Sequence, residues 1–489
     1  MLSDLHPKYK EISHKLSRLP TLKLILVGFI FSPIFFQLPL NLYSDSKTLL
    51  QQNSVITRLP IPASLPTCFL GILLLNGFDR KAIKGWLFVI LTFSLMIFTS
   101  MLISSWNEIS IEKWKLLLFQ YLLPMFAFIL GYVIFFNSSK KDRFVELGIL
   151  TSVGIIVPLQ LLSTWMHRAH FHGNISRYPN IIIYMEKLAA ALHEKVFFFS
   201  IYQHLQYVPS ILVGAYFFSL ISLWEFDKIR IILLTLTPIV GVYAIASTSR
   251  LALGGYLLGV IIFFIQSLRN NRFVLPSLLL ILSLLLPYEY FMIGTKSDKG
   301  DNILNKKYEF ILSGSNDVNT RINSSKMTPS NKSNLEQNRK TKYQSELPDI
   351  APLSRIGYWH YYFKRITENS WEFLLGHSHQ PDINVIPSAH NYYMDFIYNF
   401  GFISFTPLFF TLVTTVWLIF SNLILIVNSP KLTGLTYSVI YFLFADNMLK
   451  VGMRQLYPGI ASFFLWGLLI RCLLSIHTVE VMKREKNNI

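Results

Sequence analysis

Twelve apolar stretches recur along the chain, each close to the ~20 residues an α-helix needs to cross the hydrocarbon core of a bilayer. They fall at 21–41, 58–77, 84–104, 114–136, 145–166, 204–224, 229–247, 250–268, 273–290, 402–427, 432–448 and 457–476. The runs are continuously apolar and do not alternate, so they read as helices and not as barrel strands. Composition agrees. Of 489 residues, 52% are hydrophobic and only 15% are charged, whereas a soluble domain carries about 25% charged residues. The expected fold is all-α, a polytopic membrane protein with twelve transmembrane helices.

The formal net charge is +17. A basic balance can signal nucleic acid, but here most Lys and Arg sit in short gaps between apolar runs, so no nucleic-acid partner is expected. Lys8, Lys10, Lys15 and Arg18 precede the first run, and every second gap thereafter is basic: Arg80–Lys84, Lys140–Arg143, Lys228–Arg230, Arg269–Arg272 and Lys431. The chain ends "VMKREKNNI". With twelve spans all of these fall on one side, which the positive-inside rule makes the cytoplasm. Both termini are then cytoplasmic. The polar start "MLSDLHPKYKEISHKLSRLP" leads into a long run without a small-residue cleavage motif, so that run reads as a first span and not a signal peptide. Cys68 and Cys472 both lie inside spans, leaving no disulfide framework or Cys-based zinc site.

Three regions follow. Residues 1–290 form an N-terminal bundle of nine spans, 291–401 a large loop on the outer side, and 402–489 three spans with a cytoplasmic tail. The loop divides again. Residues 291–352 are rich in Lys, Asn and Ser and too poor in apolar residues to bury a core, so they read as disordered. Residues 353–401 read as ordered. In "SRIGYWHYYFKRITENSWEFLLGHS", Ile356, Trp359, Phe363 and Ile366 recur at helical spacing. That pattern predicts an amphipathic helix of about three turns, ending at "ENS" with "LLGH" as a turn. Such a helix can lie on the outer membrane surface and cover a cavity between spans.

Where this ordered half-loop returns to the bilayer it reads "SAHNYYMDFIYNFG". His390 there can take a proton from a hydroxyl near neutral pH; an interfacial histidine that caps a span fits the same position. Arg250 follows "STS" and opens a span. A charge at a span edge is costly unless it faces water or a partner, although a long side chain can also snorkel to the interface. Gly254 and Gly255 behind it admit a close neighbour. Arg355 opens the amphipathic helix, where it is either a solvated helix-end charge or a planar donor suited to phosphate oxygens. Arg168, Arg177 and Lys115 fall on the outer side near apolar ends and are secondary candidates for glycan or phosphate contacts. His167, His170 and His172 in "HRAHFH" and His377 and His379 in "HSH" are potential metal ligands. No Cys or carboxylate lies at matching spacing, so neither a metal nor another cofactor is expected. There is no Walker A motif, Rossmann fingerprint, Asp-x-Asp pair or transporter-like repeat.

"STSRLALGG", "SRIGYWHYYFKRITENSWEFLLGHS" and "SAHNYYMDFIYNFGFIS", in that order, resemble the O-antigen ligase and polymerase superfamily of bacterial membrane glycan transferases. The resemblance covers about 240–410; the flanking spans match only in number and spacing. It implies transfer of a glycan from an undecaprenyl-diphosphate carrier at the periplasmic face of the inner membrane, in surface-polysaccharide or lipopolysaccharide biosynthesis. His390 matches the family's essential loop histidine, Arg250 the arginine of its Ser-Arg turn, and Arg355 the arginine opening its loop helix. Asn391 then joins the substrate-binding set. The acceptor implied is a second carrier-linked glycan, lipid A-core or a protein hydroxyl. Ligases often carry Glu two residues before the final glycine, where this chain has Asn399, and "YNFG" leans to the repeat-unit polymerases. The polar insertion before Arg355 departs from the family pattern. A polysaccharide or lipid flippase is the rival from another class. It shares the many spans but would place charges mid-span, and it needs no loop histidine.

Overall fold

The computed structural model describes residues 20–31, 64–78, 80–103, 114, 116–135, 142–167, 208–246, 249–269, 355–377, 388–449, 452–454 and 456–487. Every regular element among them is helical. In chain order they are α1 (Pro20–Phe31), α2 (Ser64–Leu74), α3 (Ile83–Ile103), α4 (Leu116–Ile134, whose first turns are π-helical), α5 (Phe144–His167), α6 (Val208–Leu223), α7 (Asp227–Ala246) and α8 (Arg250–Arg269). Then come α9 (Arg355–Glu368), α10 (Ser370–Leu375), α11 (Tyr392–Ser421), α12 (Leu423–Asn428), α13 (Pro430–Ile440) and α14 (Leu456–Asn487). Past Ile440 the chain continues as a π-helical stretch, Tyr441–Asp446, and a last turn, Asn447–Leu449.

Five segments among the described residues are long and apolar enough to cross a membrane: Ile83–Ile103, Leu116–Ile134, Leu251–Leu268, Tyr392–Ser421 and Tyr457–Ser475. Pro20–Phe31, Ser64–Leu74, Phe144–Leu159 and Val208–Leu223 are shorter apolar helices. The expected span at 273–290 and the polar stretch 291–352 lie outside the described residues. On α3 one stripe, Leu87, Ile90, Leu91, Phe98 and Leu102, faces outward, as a lipid-facing surface does.

Helices in an apolar solvent gain little from hydrophobic burial and associate by close van der Waals packing, often over small residues. The α4–α14 pair does this reciprocally. A Cβ on Gly131 of α4 would come 1.9 Å from Phe464 O of α14, and a Cβ on Gly467 of α14 would come 2.1 Å from Phe128 O of α4. The two backbones touch where no side chain intervenes. Beside them Phe88, Phe128 and Trp466 pack edge to face, and the buried Trp466 indole donates to Thr415 Oγ1 at 2.7 Å.

Charges collect at the two ends. At one, Lys23 of α1 pairs with Asp142 at 2.8 Å. Lys431 of α13 pairs with Glu146 of α5 at 2.9 Å and donates to Asp142 O at 3.2 Å. This network joins the first turns of α1, α5 and α13; basic sequence precedes α1 and α5, and Lys431 lies in the first turn of α13. At the other end Arg454 pairs with Asp395 near the start of α11, at 2.9 Å.

Three sequence expectations are corrected. The helix at 355–368 has the expected ends, but its inward face is Tyr361, Tyr362 and Ile366. Phe363, expected on that face, is 62% exposed: the aromatics at 358, 361 and 362 outweigh the 356/359/363 repeat because they meet Tyr398 and Ala389 of the neighbouring segment. Of the expected "LLGH" turn, Leu374 and Leu375 are still helical and the chain turns at Gly376. Asn369 Oδ1 accepts the Trp371 N–H at 3.0 Å, capping a second short helix, α10. The expected span 402–427 is also preceded by helix: its long helix runs Tyr392–Ser421. That helix is broken inside at Gly401, whose φ of 75° and ψ of 171° are non-helical.

Gly401 and Gly376 form the joint between α10 and α11. Gly376 has φ 90°, and both residues sit in a backbone region open essentially to glycine alone. A Cβ on Gly401 would lie 2.2 Å from Leu374 O, and one on Gly376 would lie 2.7 Å from Gly401 N. Gly401→Ala therefore meets both strain and a backbone clash. We expect it to lower the thermal stability of the purified protein by at least the ~1–3 kcal/mol such a conformation costs a non-glycine residue. A fluorescence-detected melt in detergent measures this, with Gly254→Ala as control, because a Cβ at Gly254 meets nothing within 4 Å. Equal melting of the two variants would remove the joint from the account.

Candidate functional site

The start of α11 is where the expected site residues meet. The turn Ser388–Asn391 comes first, and its hydrogen bonds hold it closely. His390 has φ 51°, a left-handed conformation uncommon for a residue with a Cβ. Its N–H donates to Ser388 Oγ at 2.9 Å. The Ala389 N–H donates to Asp395 Oδ1 at 2.9 Å. Asn391 Oδ1 accepts the N–H groups of Tyr393 and Met394 at 3.0 and 3.1 Å, an N-cap that satisfies two otherwise orphan donors. Asn391 Nδ2 donates to Met448 O at 3.2 Å. The asparagine read from the sequence as a substrate contact thus has its whole amide engaged with backbone, and it is 6% exposed.

His390 is half-buried. Its ring centroid is 5.8 Å from that of Tyr358 in the first turn of α9, so the helix that Arg355 opens arrives beside the histidine. The last turns of α13 connect the turn to α8. Tyr393 OH donates to Leu443 O at 2.8 Å, and Tyr441 OH donates to Leu251 O at 2.8 Å. Leu251 is the residue after Arg250, and Ser249 caps that helix by accepting the Ala252 N–H at 3.3 Å. Gly255 accepts from Tyr437 OH and lies against the Tyr441 ring, so the close neighbour expected there is an aromatic side chain. The 441–449 segment therefore touches both the start of α8 and the His390 turn, while the start of α9 meets that turn through Tyr358. The side chains of Arg250 and Arg355 lie outside the described residues, as do Lys115, Arg168, Arg177, His170, His172 and His379 altogether. Among the described residues no three His, Cys, Asp or Glu side chains gather as a metal site.

Sequence reasoning missed the ionic centre beneath this turn. Asp395 is fully buried. Its Oδ2 accepts from Arg454 Nη1 at 2.9 Å, and Arg454 Nε donates to Gln120 Oε1 at 2.5 Å. His390 lies within electrostatic reach of Asp395. A carboxylate in an apolar run and an arginine in the short gap before the last span were each visible as isolated charges, but nothing in their spacing linked them.

On the outer flank, His377 stacks on Tyr398 with centroids 3.9 Å apart. Burial lowers its basicity below the ordinary histidine value, against an opposing pull from Glu372, whose Oε2 is 3.3 Å away. Burial likewise drives the Tyr362 phenol far above its usual range.

Removing the cap tests the turn without touching the histidine. Asn391→Ala should cost about 1–2 kcal/mol, the usual range for losing an N-cap. Asn391→Asp keeps the accepting oxygen and should recover most of that loss in the same thermal melt. A stable Asn391→Ala would mean that the other hydrogen bonds suffice to hold the turn.

No protein-family model, characterised protein or solved structure matches the chain, so the functional reading rests on the residues and their geometry.

Proposed function

We propose that the protein is a membrane glycan transferase that works at the outer face of the bacterial inner membrane, with twelve spans and both termini in the cytoplasm. The donor is an undecaprenyl-diphosphate-linked oligosaccharide, and the acceptor is a hydroxyl of a second carrier-linked repeat unit, which makes the reaction a polymerisation. The observation that carries this reading is the placement of His390. An imidazole is held in a left-handed turn at the junction of a membrane-length helix with an amphipathic one, beside the helix start of Arg355, and the 441–449 segment links that turn to the helix start of Arg250.

A lipid-linked donor demands such a place. Its prenyl chain stays among the spans while its sugar and diphosphate stand at the boundary. His390 takes the proton of the acceptor hydroxyl as that oxygen attacks the anomeric carbon. The bond from that carbon to the diphosphate oxygen breaks, the configuration inverts, and undecaprenyl diphosphate leaves. Arg250 and Arg355 offset the charge growing on the leaving diphosphate. Sidedness is supported by the Lys23–Asp142 and Lys431–Glu146 network, which brings Lys431 and the basic gaps before α1 and α5 to one end, the pattern of a cytoplasmic end.

A general base contributes about 10²–10⁴-fold, so His390→Ala should reduce chain-length ladders to single repeat units while the protein level is unchanged. Arg250→Lys and Arg355→Lys should also fail, because lysine keeps the charge and loses the planar fork. Long glycan chains from His390→Ala, in cells without a redundant enzyme, would refute the mechanism. Topology gives an independent check. Single cysteines near Lys8 and Lys483 should be labelled only from the cytoplasmic side, and one near Lys326 only from outside; the reverse for Lys326 would overturn the span count and the site together.

A further inference from the structure

We infer that Asp395 is a positioning residue that fixes the His390 turn through the Ala389 amide, with Arg454 as its anchor. The inference rests on the transferase reading for its effect on turnover, but its geometry does not. Ala389 is fully buried, so its N–H must find a partner inside the protein. That partner is Asp395 Oδ1 at 2.9 Å, six residues ahead and one helical turn into α11. The bond lies next to the left-handed residue, where a free peptide would relax to a commoner conformation.

A buried carboxylate can do this only if its charge is matched. Arg454 supplies the match at 2.9 Å, and Gln120 of α4 fixes the far side of the guanidinium. Three separate parts of the chain, α4, α11 and the 452–454 turn, thereby hold one carboxylate, whose other oxygen, Oδ1, faces the residue before His390. A pair serving stability alone would not need its second carboxylate oxygen aimed at that amide.

Two charge-neutral double variants of the full-length protein in detergent separate the roles. Asp395→Asn/Arg454→Gln keeps an oxygen for Ala389, while Asp395→Ala/Arg454→Gln removes it; neither buries a lone ion. We expect the alanine variant to melt lower than the asparagine variant, because it leaves the buried Ala389 N–H unpaired. In the alanine variant, hydrogen exchange at the Ala389 and His390 amides should accelerate about tenfold, the worth of one hydrogen bond to a charged or buried group. Its turnover should fall by about as much with KM for the lipid-linked donor unchanged, and the asparagine variant should regain both. Equal exchange and equal turnover in the two variants would overturn the inference and leave the pair a purely structural one. If wild-type protein transfers no glycan yet exchange differs as expected, the transferase reading fails and the positioning role stands. If either double variant fails to fold, Asp395→Asn against Asp395→Ala alone gives the same comparison, and there too an equal response overturns the inference.

Discussion

A backbone carbonyl cannot go unpaired where water is excluded, and the arrangement around α11 follows from that constraint. Gly401 breaks the helix inside an apolar segment. The carbonyls in the turn before the break find partners from outside it. His377 N–H donates to Tyr398 O at 2.8 Å. Thr99 Oγ1 of α3 lies 3.0 Å from Phe400 O and 2.8 Å from Ser404 Oγ. One partner comes from the outer segment and one from the bundle. The break is thus the reason α10 docks on α11, and α10 brings α9 with it. Tyr361, Tyr362 and Ile366 of α9 then close a small core over Tyr398 and Ala389. The His390 turn is set at the edge of that core.

The same constraint explains why charge appears where it does. Buried ions are tolerated only as matched, hydrogen-bonded pairs, and the described ones lie at the two ends of the bundle. Near α1, α5 and α13 the pairs join helices distant in sequence, Lys23 with Asp142 and Lys431 with Glu146. Near α11 a pair joins residues 395 and 454. The first set is read most simply as a clasp. The second differs because its carboxylate reaches past its partner to a loop amide.

Much of this architecture was legible in the sequence, for identifiable reasons. Long apolar runs report helices because a bilayer admits little else, and the expected limits at 84–104 and 250–268 fall within a residue of Ile83–Ile103 and Arg250–Arg269. His390 and Asn391 stood out because polar residues are rare at the mouth of a span. The face of α9 was misjudged because its tyrosines count as apolar only once their neighbours are known. The break at Gly401 looked like a span start, since one glycine in "YNFGF" does not say whether helix precedes it. The Asp395–Arg454 pair was illegible because 59 residues separate its members and no local pattern encodes a tertiary match.

The distribution of polar groups also bears on the choice between catalysis and translocation. A flippase must carry a hydrated glycan head past the middle of the membrane, and a path for it needs polar groups along the way. Among the described residues the buried middle consists of Phe88, Phe128, Trp466 and their apolar neighbours. Thr92 and Ser152 there bond carbonyls of their own helices. The titratable side chain of the proposed site lies instead at one end of the bundle, on a turn whose Ala389 and His390 amides are held by Asp395 and Ser388. A transporter gains little from such rigidity, because its site must open to both sides. A group that removes a proton from a hydroxyl beside a diphosphate gains much, since catalytic geometry is sensitive to displacements near 1 Å. The clamped turn around His390 therefore weighs toward chemistry at the membrane surface.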